Sequence, residues 1–147
     1  MRKKLLVVDD DLDLLNLLRL HFKEEGFAVT VVSNGLEAVK KARQMMPDLI
    51  LLDLVLPGLD GFEVCESLRQ SPATANTPII LVSGASSELS RLAAMEAGGT
   101  AFVSKPVSPG ELVTLMRQHL SPKHPAPPRM VRPARAPRPL RAALCLE

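Results

Sequence analysis

Leu5-Leu6-Val7-Val8-Asp9-Asp10-Asp11 and Leu49-Ile50-Leu51-Leu52-Asp53 share one form: four aliphatic residues that end on a carboxylate. Branched apolar runs that do not alternate with polar residues mark strands covered on both faces, as in a parallel sheet. Phe27–Val32, Ile79–Val82 and Ala101–Val103 have the same length and character. Longer amphipathic stretches fill the intervals: Asp11–Glu25, Gly35–Met45, Gly61–Gln70, Glu88–Ala97 and Glu111–Leu120. Asn34 with Glu37, Asp60 with Glu63 and Ser108 with Glu111 each pair a cap residue with a Glu three positions later. Pro109 then occupies a first helical position, and Gly26 and Gly98 stand where left-handed C-terminal caps are needed. Leu14, Leu15, Leu18 and Phe22 share one helical face and read as core. The count is (βα)5. Right-handed crossovers fold such a chain into an α/β, doubly wound, five-stranded parallel sheet.

Composition supports one domain of about 120 residues plus a tail. The 147 residues are 46% hydrophobic and 23% charged, enough to bury a core. Residues 1–120 hold 12 Lys/Arg against 15 Asp/Glu, whereas residues 121–147 hold 6 against 1 and 7 of the 13 prolines. Residues 121–147 therefore read as a disordered, basic Pro/Arg-rich tail, with Arg132, Arg135, Arg138 and Arg141 spaced every three residues. A single helical turn over Leu140–Leu146 is the most that order could give there. Lys123 and the arginines supply charge for weak, salt-sensitive attachment to acids. No aromatics interleave, so no specific nucleic-acid reading is expected.

The same arithmetic excludes other classes. Four Phe with no Trp or Tyr give no stacking platform, and Cys65 and Cys145 cannot staple a domain. The basic lead Met1-Arg2-Lys3-Lys4 imitates an export signal, but its apolar run stops after four residues, so the expected setting is cytoplasmic. No apolar run approaches a membrane span. No Gly-x-Gly-x-x-Gly follows the first strand, and no Gly-x-x-x-x-Gly-Lys occurs. His21, Cys65, Met45 and Met46 read as packing residues.

In a doubly wound sheet, ligands bind beyond the carboxyl ends of the strands. The residues at those ends are Asp9-Asp10-Asp11, Asp53, Ser83-Gly84 and Lys105-Pro106. One acidic triplet before a helix would be only a cap and a solvated loop. Acids, a hydroxyl and an amine that each end a separate strand are a site. Two carboxylates about 5 Å apart repel by roughly 3 kcal/mol at an effective dielectric near 20. Asp9, Asp10 and Asp53 therefore call for a cation: a hard, oxygen-seeking ion such as Mg2+, with Lys105 the counter-ion in its absence.

These residues resemble the receiver domain of bacterial two-component response regulators, of the stand-alone chemotaxis-receiver type. The resemblance covers about residues 3–120. It rests on Leu5 to Asp11, on Asp48 to Asp53 running on through Pro57-Gly58-Leu59-Asp60-Gly61, on Leu81-Val82-Ser83-Gly84-Ala85, and on Ala97-Gly98 with Phe102 to Pro106. It implies a flavodoxin-like sheet in strand order 2-1-3-4-5, a topology known from a chemotaxis receiver. It further implies that Asp53 accepts a phosphoryl group from a sensor histidine kinase or phosphotransfer protein. Asp10, Asp53 and the Val55 carbonyl would then hold Mg2+, with Asp9 acting through metal-bound water. Lys105 and Ser83 would contact phosphoryl oxygens, and Phe102 would be the aromatic switch that follows Ser83. Pro57 and Gly58 would shape the loop after Asp53, and Gly61 would let the next helix start close by. The chain would promote only its own phosphorylation and dephosphorylation, without being an enzyme in its own right. It would signal through the fourth helix, fifth strand and fifth helix, as a monomer or a phosphorylation-dependent homodimer. Val55 and Ala85, apolar and two residues beyond Asp53 and Ser83, imply slow loss of the phosphate. A phosphatase with a nucleophilic Asp would place a carboxylate where Val55 stands. The alternatives kept are a degenerate receiver acting as a docking module, and a fragment of a longer regulator, since residues 121–147 cannot form an output domain.

Overall fold

The computed structural model describes residues 2–84 and 88–120. Ala85 and the tail, with Cys145 and the turn expected over Leu140–Leu146, lie outside the described residues. Ten elements alternate along the chain: β1 Lys4–Val8, α1 Leu12–Glu24, β2 Ala28–Val32, α2 Gly35–Met45, β3 Leu49–Asp53, α3 Gly61–Gln70, β4 Ile79–Ser83, α4 Glu88–Glu96, β5 Ala101–Ser104 and α5 Pro109–His119. The five strands form one parallel sheet in the order β2-β1-β3-β4-β5. This is the doubly wound fold expected from the sequence.

Strand composition follows position in the sheet. β3 and β4 are buried at every residue and β1 at all but Lys4, because helices cover both of their faces. The edge strands β2 and β5 are half-buried, and they carry Thr30 and Ser104. Side-chain alternation divides the interior into two cores. Leu6, Val8, Ile50, Leu52 and Leu81 pack with Ala38, Val64, Leu68 and Ala94 on the side of α2, α3 and α4. Leu5, Val7, Leu51, Ile80 and Val82 pack with Leu15, Leu18, Phe22, Leu112 and Met116 on the side of α1 and α5. Leu14, expected in that stripe, is only partly buried.

The helix starts follow their local chemistry. Asp60 with Glu63 and Ser108 with Glu111 form reciprocal capping boxes. Asn34 caps α2 with a single bond, its Oδ1 accepting from the Glu37 N–H at 2.8 Å. α5 begins at Pro109, two residues earlier than the apolar pattern alone placed it. Cys65 is fully buried, as read. Met46 corrects the packing expectation: it is 54% exposed and takes the left-handed conformation (φ 47°) at the C-cap of α2, while Met45 packs against the core. No helix among the described residues is long and apolar enough to cross a membrane.

Candidate functional site

β1 and β3 are neighbours in the sheet and run parallel, so their ends lie side by side. Asp53 is the last residue of β3 and Asp9 follows β1 directly; both are almost wholly buried, at 5% and 4% exposure. Asp10 lies beside them and is exposed. One carboxylate oxygen from each of the three lies within 4.8 Å of the others.

The acidic triplet divides its work. Asp11 is the N-cap of α1, its Oδ1 accepting from the N–H groups of Asp13 and Leu14. Asp9 turns inward, with Oδ1 accepting from the Asp11 N–H at 2.9 Å and Oδ2 from Lys105 Nζ at 3.0 Å. Asp53 repeats that arrangement. Its Oδ1 accepts from the Val55 N–H at 3.1 Å and its Oδ2 from the same Lys105 Nζ at 3.2 Å. Each buried carboxylate therefore has one oxygen fixed by its own loop and the other shared through one ammonium.

The pKa directions follow from this geometry. Burial, the largest influence, pushes the Asp53 carboxyl above its ordinary 3.8; the Val55 N–H pulls it back, the Asp9 charge adds to the rise, and Lys105 opposes it. Burial alone would lower the Lys105 amine. The hydrogen bond to Asp9 and the charges of both carboxylates outweigh burial and hold it above 10.5.

Local structure aims these groups. The Lys105 N–H donates to the Ser83 carbonyl at 2.8 Å, and the Leu54 N–H to the Val82 carbonyl at 3.1 Å, tying the ends of β3, β4 and β5 together. The Lys105–Pro106 peptide bond is cis. Gly58 takes φ 78° in the loop after Asp53, a conformation that suits glycine. Gly61 starts α3 so close to that loop that a Cβ there would lie 2.5 Å from Leu54 Cα and 2.6 Å from the Asp53 carbonyl oxygen.

Ser83 ends β4, buried and one register position beyond the Asp53–Val82 pair. Val55 gives its N–H to Asp53 while its side chain stands 65% exposed. Phe102 is set apart from the acids: it pairs in register with Leu81 and rests half-buried on the α2–α3–α4 core. His21, read as a packing residue, meets Phe22 edge-on; its Nε2 lies 3.9 Å from Glu25 Oε2 and makes no hydrogen bond.

The donor set suits a metal of one kind. Three carboxylates and one lysine leave an excess of negative charge, and oxygen-only donors select a hard divalent ion such as Mg2+.

A family model described as the response regulator receiver domain matches residues 5–117. The DNA-binding response regulator MtrA of Mycobacterium tuberculosis is 38% identical over 120 residues, 82% of this chain and 51% of that protein. The transcriptional regulatory protein ResD of Bacillus subtilis is 43% identical over 110 residues, 75% of this chain and 45% of that protein. The chain thus spans about half the length of the curated relatives it matches. Among solved structures, the chemotaxis protein CheY4 of Vibrio cholerae superposes with a TM-score of 0.78 at 26% identity, covering 82% of this chain and all of that one. The N-terminal receiver domain of Klebsiella pneumoniae RstA superposes with a TM-score of 0.74 at 30% identity, covering 80% and 97%.

Proposed function

The chain belongs to the response regulator receiver family, whose members are phosphorelay signalling domains, and from that premise we propose that Asp53 is the residue that takes the phosphoryl group. The observation that carries this reading is the Lys105 ammonium held by Asp9 and Asp53 at the carboxyl edge of the sheet. An Asp53 oxygen attacks the phosphorus of a phosphohistidine on a kinase or phosphotransfer protein. The new P–O bond forms as the P–N bond breaks, and the histidine nitrogen keeps the bonding electron pair. Mg2+ bound by Asp10, Asp53 and the Val55 carbonyl, with Asp9 acting through water, would neutralise charge on the phosphoryl oxygens.

The chain's own residues do the positioning. The Val55 N–H fixes the rotation of the Asp53 carboxylate, and Gly61 keeps α3 close behind it. Lys105, paired with carboxylates before transfer, is the group that turns to a phosphoryl oxygen afterwards. Ser83, buried at the end of β4, donates to another. A docking module that never takes phosphate gives no reason for all of these positions to be filled.

Residues 1–120 would be the receiver unit and 121–147 a basic tail for salt-sensitive contacts, in a cytoplasmic setting. The partner face would be α4–β5–α5. Leu89 and Leu92 stand exposed on α4, and Phe102 lies half-buried on β5.

Intact mass after incubation with acetyl phosphate and Mg2+ tests the assignment. Wild type gains one phosphoryl group, Asp53→Asn gains none, and Lys105→Ala still binds Mg2+ but phosphorylates poorly. Equal labelling of the Asn variant would place the acceptor elsewhere.

A further inference from the structure

We propose that the gap between the sheet, α1 and α5, which is partly open to solvent, is a binding site for a compact neutral molecule built on a single aromatic ring. A cavity of about 220 Å3 lies there. Val7, Leu51 and Val82 line it from the strands, and Leu14, Leu18 and Leu112 from the two helices. An apolar cavity with few polar partners stays dry, and one of about 150 Å3 already takes up benzene. This one is larger, so a ring with one or two added carbons matches it.

The sequence explains the gap. Four phenylalanines are the chain's only aromatic side chains besides histidine, and none of the four lines the cavity. Phe22 and Phe27 belong to the same core without reaching it. Leu and Val make up most of the lining, and a guest would supply the ring that the sequence does not.

Charge narrows the class of guest. The polar lining residues are Asp9, Asp53 and Lys105, and Lys105 is already bonded to both acids. Without a bound cation, that end carries two negative charges against one paired positive charge, so in EDTA it repels an anion. A neutral guest meets no such penalty. Lys105, Pro106 and Val107 are consecutive residues of the lining, so a guest would lie beside the segment that carries Lys105.

Toluene is the probe, titrated into the full-length chain carrying 13C-labelled methyl groups. The methyls of Leu14, Leu18, Leu112 and Val107 are expected to shift together and saturate, while those of Leu89 and Leu92, exposed on α4, stay in place. Leu14 and Val107 are only partly buried, so each can be enlarged into the gap. Leu14→Phe and Val107→Phe, whichever gives a folded methyl spectrum, should each weaken toluene binding by about tenfold or more. In EDTA, benzoate at equal concentration should leave the cavity methyls unshifted. Shifts that fail to saturate, that appear equally at Leu89 and Leu92, or that persist unchanged in both folded Phe variants overturn the site. Benzoate binding as tight as toluene overturns the neutral class of guest.

Discussion

Asp53 is buried beside Asp9 and shares with it the single ammonium of Lys105, so one positive charge offsets two negative ones. Its folded-state pKa lies above 3.8, chiefly through burial, so the folded chain holds that proton more tightly than the unfolded chain does. The stability this lends is complete below about 3.8 and disappears as pH rises through the folded-state value. Above that window the ionised carboxylate is a cost that Asp53→Asn removes, and Lys105 keeps its bond to Asp9. In EDTA, the Tm of the Asn variant should therefore exceed wild type at pH 7. The difference should shrink toward acid pH. A variant less stable than wild type at pH 7 would show that Lys105 more than compensates the burial. Lys105 follows the same sign at higher pH: its raised pKa lends stability that is complete below 10.5 and lost as pH rises through the folded-state value. On the proposed mechanism, Val55 would bear on a later step. Its exposed side chain offers nothing to orient a water for attack on an acyl phosphate. Val55→Asn combined with Ala85→Glu should speed loss of phosphate several-fold, followed by intact mass; an unchanged half-life would remove Val55 and Ala85 from the account.

Where α2 ends, a left-handed C-cap falls on Met46, whose N–H donates to the Ala42 carbonyl at 2.9 Å. A side chain pays for that backbone conformation and glycine does not. Because Met46 is largely exposed, Met46→Gly loses little packing and should stabilise the chain by about 0.5–1 kcal/mol in urea unfolding. Met46→Ala, still left-handed and not glycine, should give no gain; equal effects from both would point to the lost side chain instead. The contrast with Gly26 and Gly98 shows what a sequence reveals at this scale. Those two were legible as left-handed positions because glycine announces them, and they take φ 100° and 116°. Nothing in Met46 does so. The capping boxes were legible because a cap and its Glu lie three residues apart. Arg69 was not. Its guanidinium donates to the carbonyls of Gly98, Thr74, Ala75 and Thr77, joining the α3–β4 connection to the turn before β5. Backbone carbonyls gathered from separate loops leave no mark in residue type, so an arginine ending an amphipathic helix reads as solvated.

Across the whole molecule, the fold and the gathering of acids were legible for one reason: each aliphatic run ends on a polar residue, and parallel strands bring those ends to one edge. The sequence could not show how each carboxylate divides its two oxygens, because that depends on loop conformation around Asp9 and Asp53. The same sheet can carry a signal outward from the acids. Ser83 and Phe102 lie on neighbouring strands, with Leu81 opposite Phe102 and Ser83 opposite Ser104. β5 is a half-buried edge strand, held on one side only, and its Phe102 ring rests on the core beneath α2, α3 and α4 without being fully enclosed. On the proposed mechanism, Ser83 turning its hydroxyl to a phosphoryl oxygen would leave space, and the ring would move deeper. A local charge change thereby biases an element with two positions. Phenylalanine has no hydroxyl to anchor it outward. On this account Phe102→Ala leaves the rate of Asp53 phosphorylation within about twofold, because the ring touches none of the acids. It should weaken phosphorylation-dependent partner binding or dimerisation by about tenfold, some 1.4 kcal/mol. Backbone NMR before and after phosphorylation separates this route from a local one. Shifts in wild type should extend from the Asp53 loop through β4 and β5 to α4 and α5. If they stop at the Asp53 loop, Phe102 is a core residue and the output leaves the molecule by another face.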